Sequence, residues 1–256
     1  NLPNLRFKLD GANPSGSFKD RASQLVAAQA LFYGEQRVVV ASTGNAGSSM
    51  ACAGAAYGLE VILFVPSSAP TNKLMQSVLY GARVVPVEGS YDDAFALSIA
   101  YSRQAGGINR NTAYNPMTIE GKKSVSLELY NQLGGKAPDA VYVPVGDGVI
   151  ISGVSKGFED LKRAGLIPAV PKLIAVQAEG SAAIAAAAAS GRQQVLPEVR
   201  TIADSISVAS PAGGSTALAA LKASAGWAVV VSDEQILAAQ LELAGEAGIF
   251  GAPAAA

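Results

Sequence analysis

Six short apolar runs punctuate the chain: RVVVA at 37–41, VILFVP at 61–66, RVVPV at 83–87, AVYVPV at 140–145, KLIAVQA at 172–178 and WAVVV at 227–231. Each is rich in Val or Ile and bounded by polar or glycine-containing segments, the pattern of a buried strand. Between them lie segments of helical spacing at 46–57, 71–80, 91–104, 120–132, 150–164, 182–190 and 233–244. A further helix is predicted through RASQLVAAQALFYG, with Ser17 as its N-cap and Phe18 and Lys19 in its first turn. Strand alternating with helix predicts an α/β fold whose parallel sheets are covered on both faces. In such sheets ligands gather where strands end and helices begin, so the informative residues should follow the strands.

The chain's 256 residues are half hydrophobic and only 15% charged, enough to bury a large core in one or two domains. A net charge of -1 without a long basic run gives no footprint for nucleic acid, and no apolar run is long enough to span a bilayer. Neither partner is expected. The chain begins at Asn1 and stops within GAPAAA, so both ends are expected to continue. The single cysteine, Cys52, excludes an internal disulfide and suits a reducing, cytoplasmic setting. Its small apolar neighbours in SSMACAGAAYG predict a buried helix position.

The absence of histidine from the sequence removes hydrolases built on a His base and His-ligated zinc sites, and no metal is expected. The remaining catalytic repertoire is lysine, carboxylates, hydroxyls, backbone dipoles or a cofactor. Lysine forms Schiff bases with carbonyl compounds, and pyridoxal phosphate is held in that way.

Three loops carry candidate chemistry. In NPSGSFKDR, residues 13–21, Pro14 and Gly16 shape an irregular turn that delivers Lys19 to a helix start. The helix dipole opposes an ammonium there and favours the neutral amine. After RVVVA comes STGNAG, 42–47, whose hydroxyls and helix-start N–H groups suit a carboxylate, while Asn45 can bridge a phenolic oxygen. Taken alone, this loop reads more readily as an ordinary capped turn. After the fourth apolar run, GDGVIISG at 146–153 is a glycine-rich entry to a helix, a ready phosphate cradle. It has neither dinucleotide nor P-loop spacing.

NPSGSFKDR, STGNAG, YNPMTIEGKKS at 114–124, PVGDG and SDEQILAAQLELAGEAGIFGAP follow one another in an order that resembles the threonine synthase branch of the pyridoxal-phosphate enzymes of the tryptophan-synthase-beta fold, fold type II. The resemblance implies two parallel-sheet, three-layer domains. Residues 35–112 would form the smaller, and 1–34 with 113–256 the larger, with Gly44 and Gly146 approaching one pyridoxal 5'-phosphate from opposite domains. It also implies a role for each matching residue. Lys19 is the Schiff-base lysine and catalytic base. Asn45 contacts the cofactor ring oxygen, Ser42, Thr43 and Gly44 grip the substrate carboxylate, and Gly146, Asp147, Gly148, Val149 and Ile150 form the phosphate loop. Lys73 is a candidate partner for a substrate phosphate. The expected activity is conversion of O-phosphohomoserine to threonine and phosphate by a homodimeric lyase. The alternatives are β-elimination on serine or threonine, or a catalytically idle amino-acid-binding homologue.

The sequence departs from the resembled pattern at several positions. Ala46 stands where many threonine synthases have Thr or another donor, Thr118 where they have Arg, and Asp147 where they have Asn. A carboxylate about 4 Å from a phosphate would repel it by roughly 4 kcal/mol at an effective dielectric near 20, so either Asp147 points away or no second phosphate binds near it. Ala252 replaces the glutamate usual in GIFxEP, and the partner of the cofactor's pyridine nitrogen is expected beyond Ala256.

Overall fold

The computed structural model describes residues 4–256; the chain divides between Lys122 and Lys123 into two compact units. In the first, strands β1 (Arg37–Ala41), β2 (Glu60–Pro66), β3 (Arg83–Val87) and β4 (Ile108–Asn109) form an all-parallel sheet in the order β3-β2-β1-β4. Successive side chains of a strand point to opposite faces, and both faces here are apolar. On one, Val38, Val40, Val61, Leu63 and Val65 pack with residues of α1 (Asp20–Phe32) and α2 (Asn45–Tyr57). On the other, Val39, Ala41, Ile62 and Phe64 meet Ala94 and Phe95 of α4 (Tyr91–Ala105). The remaining helices of this unit are α3 (Thr71–Leu79) and α5 (Met117–Lys122).

The second unit holds the parallel sheet β5 (Ala140–Pro144), β6 (Lys172–Ala178) and β7 (Trp227–Val231), in that order. Its helices are α6 (Ser124–Gln132), α7 (Val149–Arg163), α8 (Ala183–Ser190), α9 (Gly214–Ala223) and α10 (Asp233–Ala247). Ser232 opens α10 with a capping box, its hydroxyl accepting the Gln235 N–H while the Gln235 side chain accepts the Ser232 N–H.

All six predicted strands form, and their order along the chain alternates with helices as expected. The segment 120–132 proves to be two helices, because Lys123 interrupts it between α5 and α6. Strand β4 and helix α9 were not predicted. Cys52 is half-buried on α2 rather than buried, since its helix turns that position partly outward from the apolar layer.

Candidate active site

The turn that presents Lys19 is tied down on every side. Gly16 has a φ of 78°, a left-handed conformation that favours glycine, and its N–H donates to Asn13 O at 2.8 Å. Ser17 Oγ accepts the Lys19 N–H at 3.2 Å within the turn, but the α-helix begins only at Asp20, with Lys19 at its N-cap and without a side-chain cap. Ser17 is therefore not the N-cap predicted from the sequence, and Phe18 and Lys19 precede the first helical turn. Asp20 reaches back to accept the Ser15 N–H at 2.9 Å, and Arg21 grips Asp10 through Nε and NH2, both at 2.8 Å. From α3, Gln76 Nε2 donates to Ser15 O at 2.9 Å.

Lys19 itself is half-buried, and its Nζ makes no hydrogen bond among the described residues. Burial pushes its pKa below the ordinary lysine value, and the positive charge of Arg110 pushes it further. The sequence pointed to the helix dipole; the causes in the structure are burial first and Arg110 second. The outcome is an amine biased toward its neutral, nucleophilic form.

The loop after β1 brings Ser42, Thr43 and Gly44 to the start of α2, which Asn45 opens. Ser42 Oγ accepts the Gly44 N–H at 3.2 Å, and no side chain caps the helix. The N–H groups of Asn45 and Ala46 therefore have no acceptor among the described residues, and the Asn45 side chain is exposed. This uncapped start suits an anionic group such as a carboxylate. It is coupled to α1 by the buried contact between Ser23 Oγ and Ser49 Oγ at 2.7 Å. Lys73 is exposed on the first turn of α3, one turn before the Gln76 that reaches the lysine turn.

In the second unit, Gly146 to Ile150 lead from β5 into α7. Gly148 has a φ of 89°, and no side chain caps the helix. The N–H groups of Gly148, Val149 and Ile150 donate to no group among the described residues, leaving a cradle at the positive end of a 15-residue helix. The glycines are sterically required: a Cβ at Gly146 would lie 2.7 Å from Ile206 Cα, and one at Gly148 would lie 2.6 Å from Gly213 O. Such a cradle fits a phosphate group. Asp147 has turned its carboxylate onto the neighbouring backbone, accepting the Ala212 N–H at 2.7 Å and the Gly213 N–H at 3.4 Å. Its own carbonyl accepts the Gly213 N–H at 2.9 Å. Asp147 is thus a brace for the loop, with backbone N–H groups left as the anion donors.

The sequence reading missed Arg110, Asp20 and Ser23. Arg110 follows a two-residue strand too short to register as an apolar run, and a lone arginine in GINRNT reads as a surface residue.

All residues, 1–256, match the family model described as pyridoxal-phosphate dependent enzyme. The chain belongs to that family. The cofactor expected from the sequence is therefore the family's own. Among curated relatives, threonine synthase of Methanosarcina acetivorans is 38% identical over 258 residues, covering 100% of this chain and 64% of the relative. Threonine synthase of Mycobacterium tuberculosis is 35% identical over 253 residues, covering 98% of this chain and 68% of the relative. The chain thus spans about two thirds of the length of these relatives. Among solved structures, threonine deaminase isoform 2 from Solanum lycopersicum superimposes with a TM-score of 0.82 at 24% identity, over 96% of this chain and 66% of that one. Maize serine racemase gives 0.81 at 23% identity, over 94% and 70%. These neighbours establish the fold: fold type II, with parallel sheets.

Proposed function

We propose that the whole protein is a pyridoxal-phosphate-dependent lyase of threonine synthase type, converting O-phosphohomoserine and water to threonine and phosphate by γ-elimination and β-addition. The observation that carries the chemistry is Lys19, an amine biased toward its neutral form in a turn braced by Asp20, Arg21 and Gln76. The substrate class rests on the 38% identity to a threonine synthase along the entire chain.

When bound, the cofactor supplies an electron sink for the carbanion left by proton removal. Lys19 would hold it covalently and, once displaced by substrate, move the proton at its Nζ. Asn45 would orient the ring through its amide. The uncapped N–H groups at the start of α2, with Ser42, Thr43 and Gly44, would bind the substrate carboxylate. The N–H groups of Gly148, Val149 and Ile150 would hold the cofactor phosphate, with Gly146 and Asp147 shaping that loop. Lys73 would neutralise a second phosphate. The working form is proposed to be a cytoplasmic homodimer, testable by light scattering.

One observation favours the alternative of β-elimination on serine or threonine. Thr118 stands where the resembled pattern has Arg, is fully buried, and donates its hydroxyl to Asn115 O at 2.8 Å. Its hydroxyl is engaged within the fold, and it brings no positive charge for a second phosphate. Phosphate release from O-phosphohomoserine and ammonia release from threonine, measured side by side on the full-length protein, separate the two. Phosphate without ammonia is expected; ammonia without phosphate would promote the alternative. Borohydride reduction and peptide mapping should place a pyridoxyl group on Lys19, and label on Lys73 or Lys122 instead would remove the site assignment.

A further inference from the structure

Arg110 is fully buried, the bulkiest side chain so placed. Its backbone N–H donates to Val39 O at 2.7 Å, fixing it beside β1. Its Nε donates to Ser23 Oγ at 3.2 Å and its NH1 to Thr112 Oγ1 at 2.8 Å, while NH2 has no hydrogen-bond partner among the described residues. Asp20, one residue after Lys19, also keeps a buried carboxylate oxygen, Oδ1, without a partner. A buried guanidinium with an unsatisfied nitrogen is costly, and an apolar residue of similar volume would avoid that cost. Its presence beside the lysine turn calls for a role.

Geometry indicates which. Ser23 lies four residues after Lys19 on the same helix, so the two share a face one turn apart, and the Ser23 N–H donates to Lys19 O at 3.1 Å. Arg110 therefore grips the turn of α1 that carries the lysine. We propose that Arg110 is a positioning residue for Lys19: it anchors the first turn of α1 through Ser23 and sets a buried positive charge within reach of the lysine amine.

The consequence is electrostatic. Arg110 is the one charge that adds to burial in depressing the Lys19 pKa. Its own pKa is pulled down to about 10 by burial, against the opposing influence of Tyr91 and Asp20. Even there the guanidinium stays charged at neutral pH. The other titratable groups on the elements packed against α1 are Cys52 and Tyr57 on α2, Arg37 on β1, and Glu120 and Lys122 on α5. Arg37 is paired with Glu60, and Tyr57 donates to Gln24 Oε1. A lower pKa raises the fraction of the amine that is unprotonated at a given pH, and only that form attacks a carbonyl.

This inference rests on the proposed role of Lys19, and its test separates the two. In the full-length protein, the rate at which pyridoxal 5'-phosphate is trapped on Lys19 by borohydride is measured against pH, alongside thermal unfolding. In Arg110→Met the midpoint should move up by about one pH unit, a tenfold loss of trapping rate below it. Arg110→Lys keeps the charge but loses the planar fork to Ser23 and Thr112, so its midpoint should stay with the parent's even if its melting temperature falls. A melting temperature that falls in Arg110→Met with an unmoved midpoint would overturn the proposal and make Arg110 structural. Should Arg110→Met not fold, Arg110→Lys alone decides: a parental midpoint supports the proposal, and a rise of a full unit overturns it. Failure of the parent protein to be labelled at Lys19 would instead sink the assignment of the lysine itself.

Discussion

Ser23 Oγ lies 2.7 Å from Ser49 Oγ, joining α1 to α2 four residues after Lys19 on one helix and four after Asn45 on the other. The proton assignment follows from the neighbours. Ser49 donates to Ala46 O and Ser23 accepts from Arg110 Nε, so the Ser23 hydroxyl donates to Ser49. Ser23→Ala removes an acceptor from a buried guanidinium, whereas Ser49→Ala removes only a neutral partner. Urea unfolding should therefore show a loss of about 2 kcal/mol for Ser23→Ala and about 1 kcal/mol for Ser49→Ala. Equal losses would mean that Arg110 does not depend on Ser23.

Asn45 separates fold from function. Its side chain is exposed and makes no hydrogen bond among the described residues, so Asn45→Ala should leave the melting temperature within a degree or two of the parent's. Absorbance of the bound cofactor and turnover should change together. A collapse of stability with an unaltered cofactor spectrum would make Asn45 structural.

How much of this was legible beforehand can be read from particular residues. Runs such as VILFVP reveal buried parallel strands because both faces of the sheet must be apolar, and that continuous hydrophobicity survives in one dimension. The turn at Gly16 was legible because turn chemistry is local in sequence, whereas the helix start was placed too early, with Ser17 rather than Lys19 as its N-cap. Arg110 was not: its partner Ser23 lies 87 residues away, and no local pattern records such a contact. Asp147 was half legible. Its charge implied that it must turn away from an anion, but the Ala212 N–H that receives it lies 65 residues on.

Gly121, in the NPMTIEGKKS stretch, has a packing role that the motif alone does not state. A Cβ there would meet the carbonyl oxygen of Arg21 and lie 2.8 Å from Ala22 Cα, both backbone atoms of α1. Backbone cannot rotate out of the way, so α5 would have to move off the helix that carries Lys19. Gly121→Ala should cost at least about 2 kcal/mol and slow the trapping of pyridoxal 5'-phosphate on Lys19. Gly11→Ala, where nothing lies within 4 Å, should change neither and serves as the control.

Asp147 is predicted to act through its acceptor oxygens. Asp147→Asn retains an oxygen for the Ala212 N–H, so cofactor affinity and the Michaelis constant for O-phosphohomoserine should change little, less than about threefold. Asp147→Ala leaves the 212–213 backbone N–H groups without that acceptor and should loosen the Gly146–Ile150 loop, weakening cofactor binding about tenfold, equivalent to roughly 1.4 kcal/mol. A tighter Michaelis constant in Asp147→Asn alone would show the carboxylate facing the substrate.

The acid limb of the stability curve should carry a signature from Asp160. Lys123 Nζ donates to Asp160 Oδ2 at 2.9 Å and Arg163 NH1 to Oδ1 at 3.0 Å, tying the start of α6 to α7. The hydrogen bond from Lys123, aided by the nearby positive charges, holds the Asp160 pKa below the ordinary 3.8 against the opposing effect of burial. A carboxylate depressed on folding contributes stability that is fully present above the unfolded value and disappears as pH falls through the folded value. Both side chains of the Lys123–Asp160 pair remain about a quarter exposed, so solvent screening limits the contribution to about 1 kcal/mol or less. Lys123→Met should therefore be less stable than the parent at pH 7, and the gap should close as pH drops below 3.8, where both unfolded chains are protonated at Asp160. Urea midpoints taken at pH 7, 5, 4 and 3 test this, and a gap that persisted undiminished at the lowest pH would assign the loss to the lysine's apolar stem rather than to its charge.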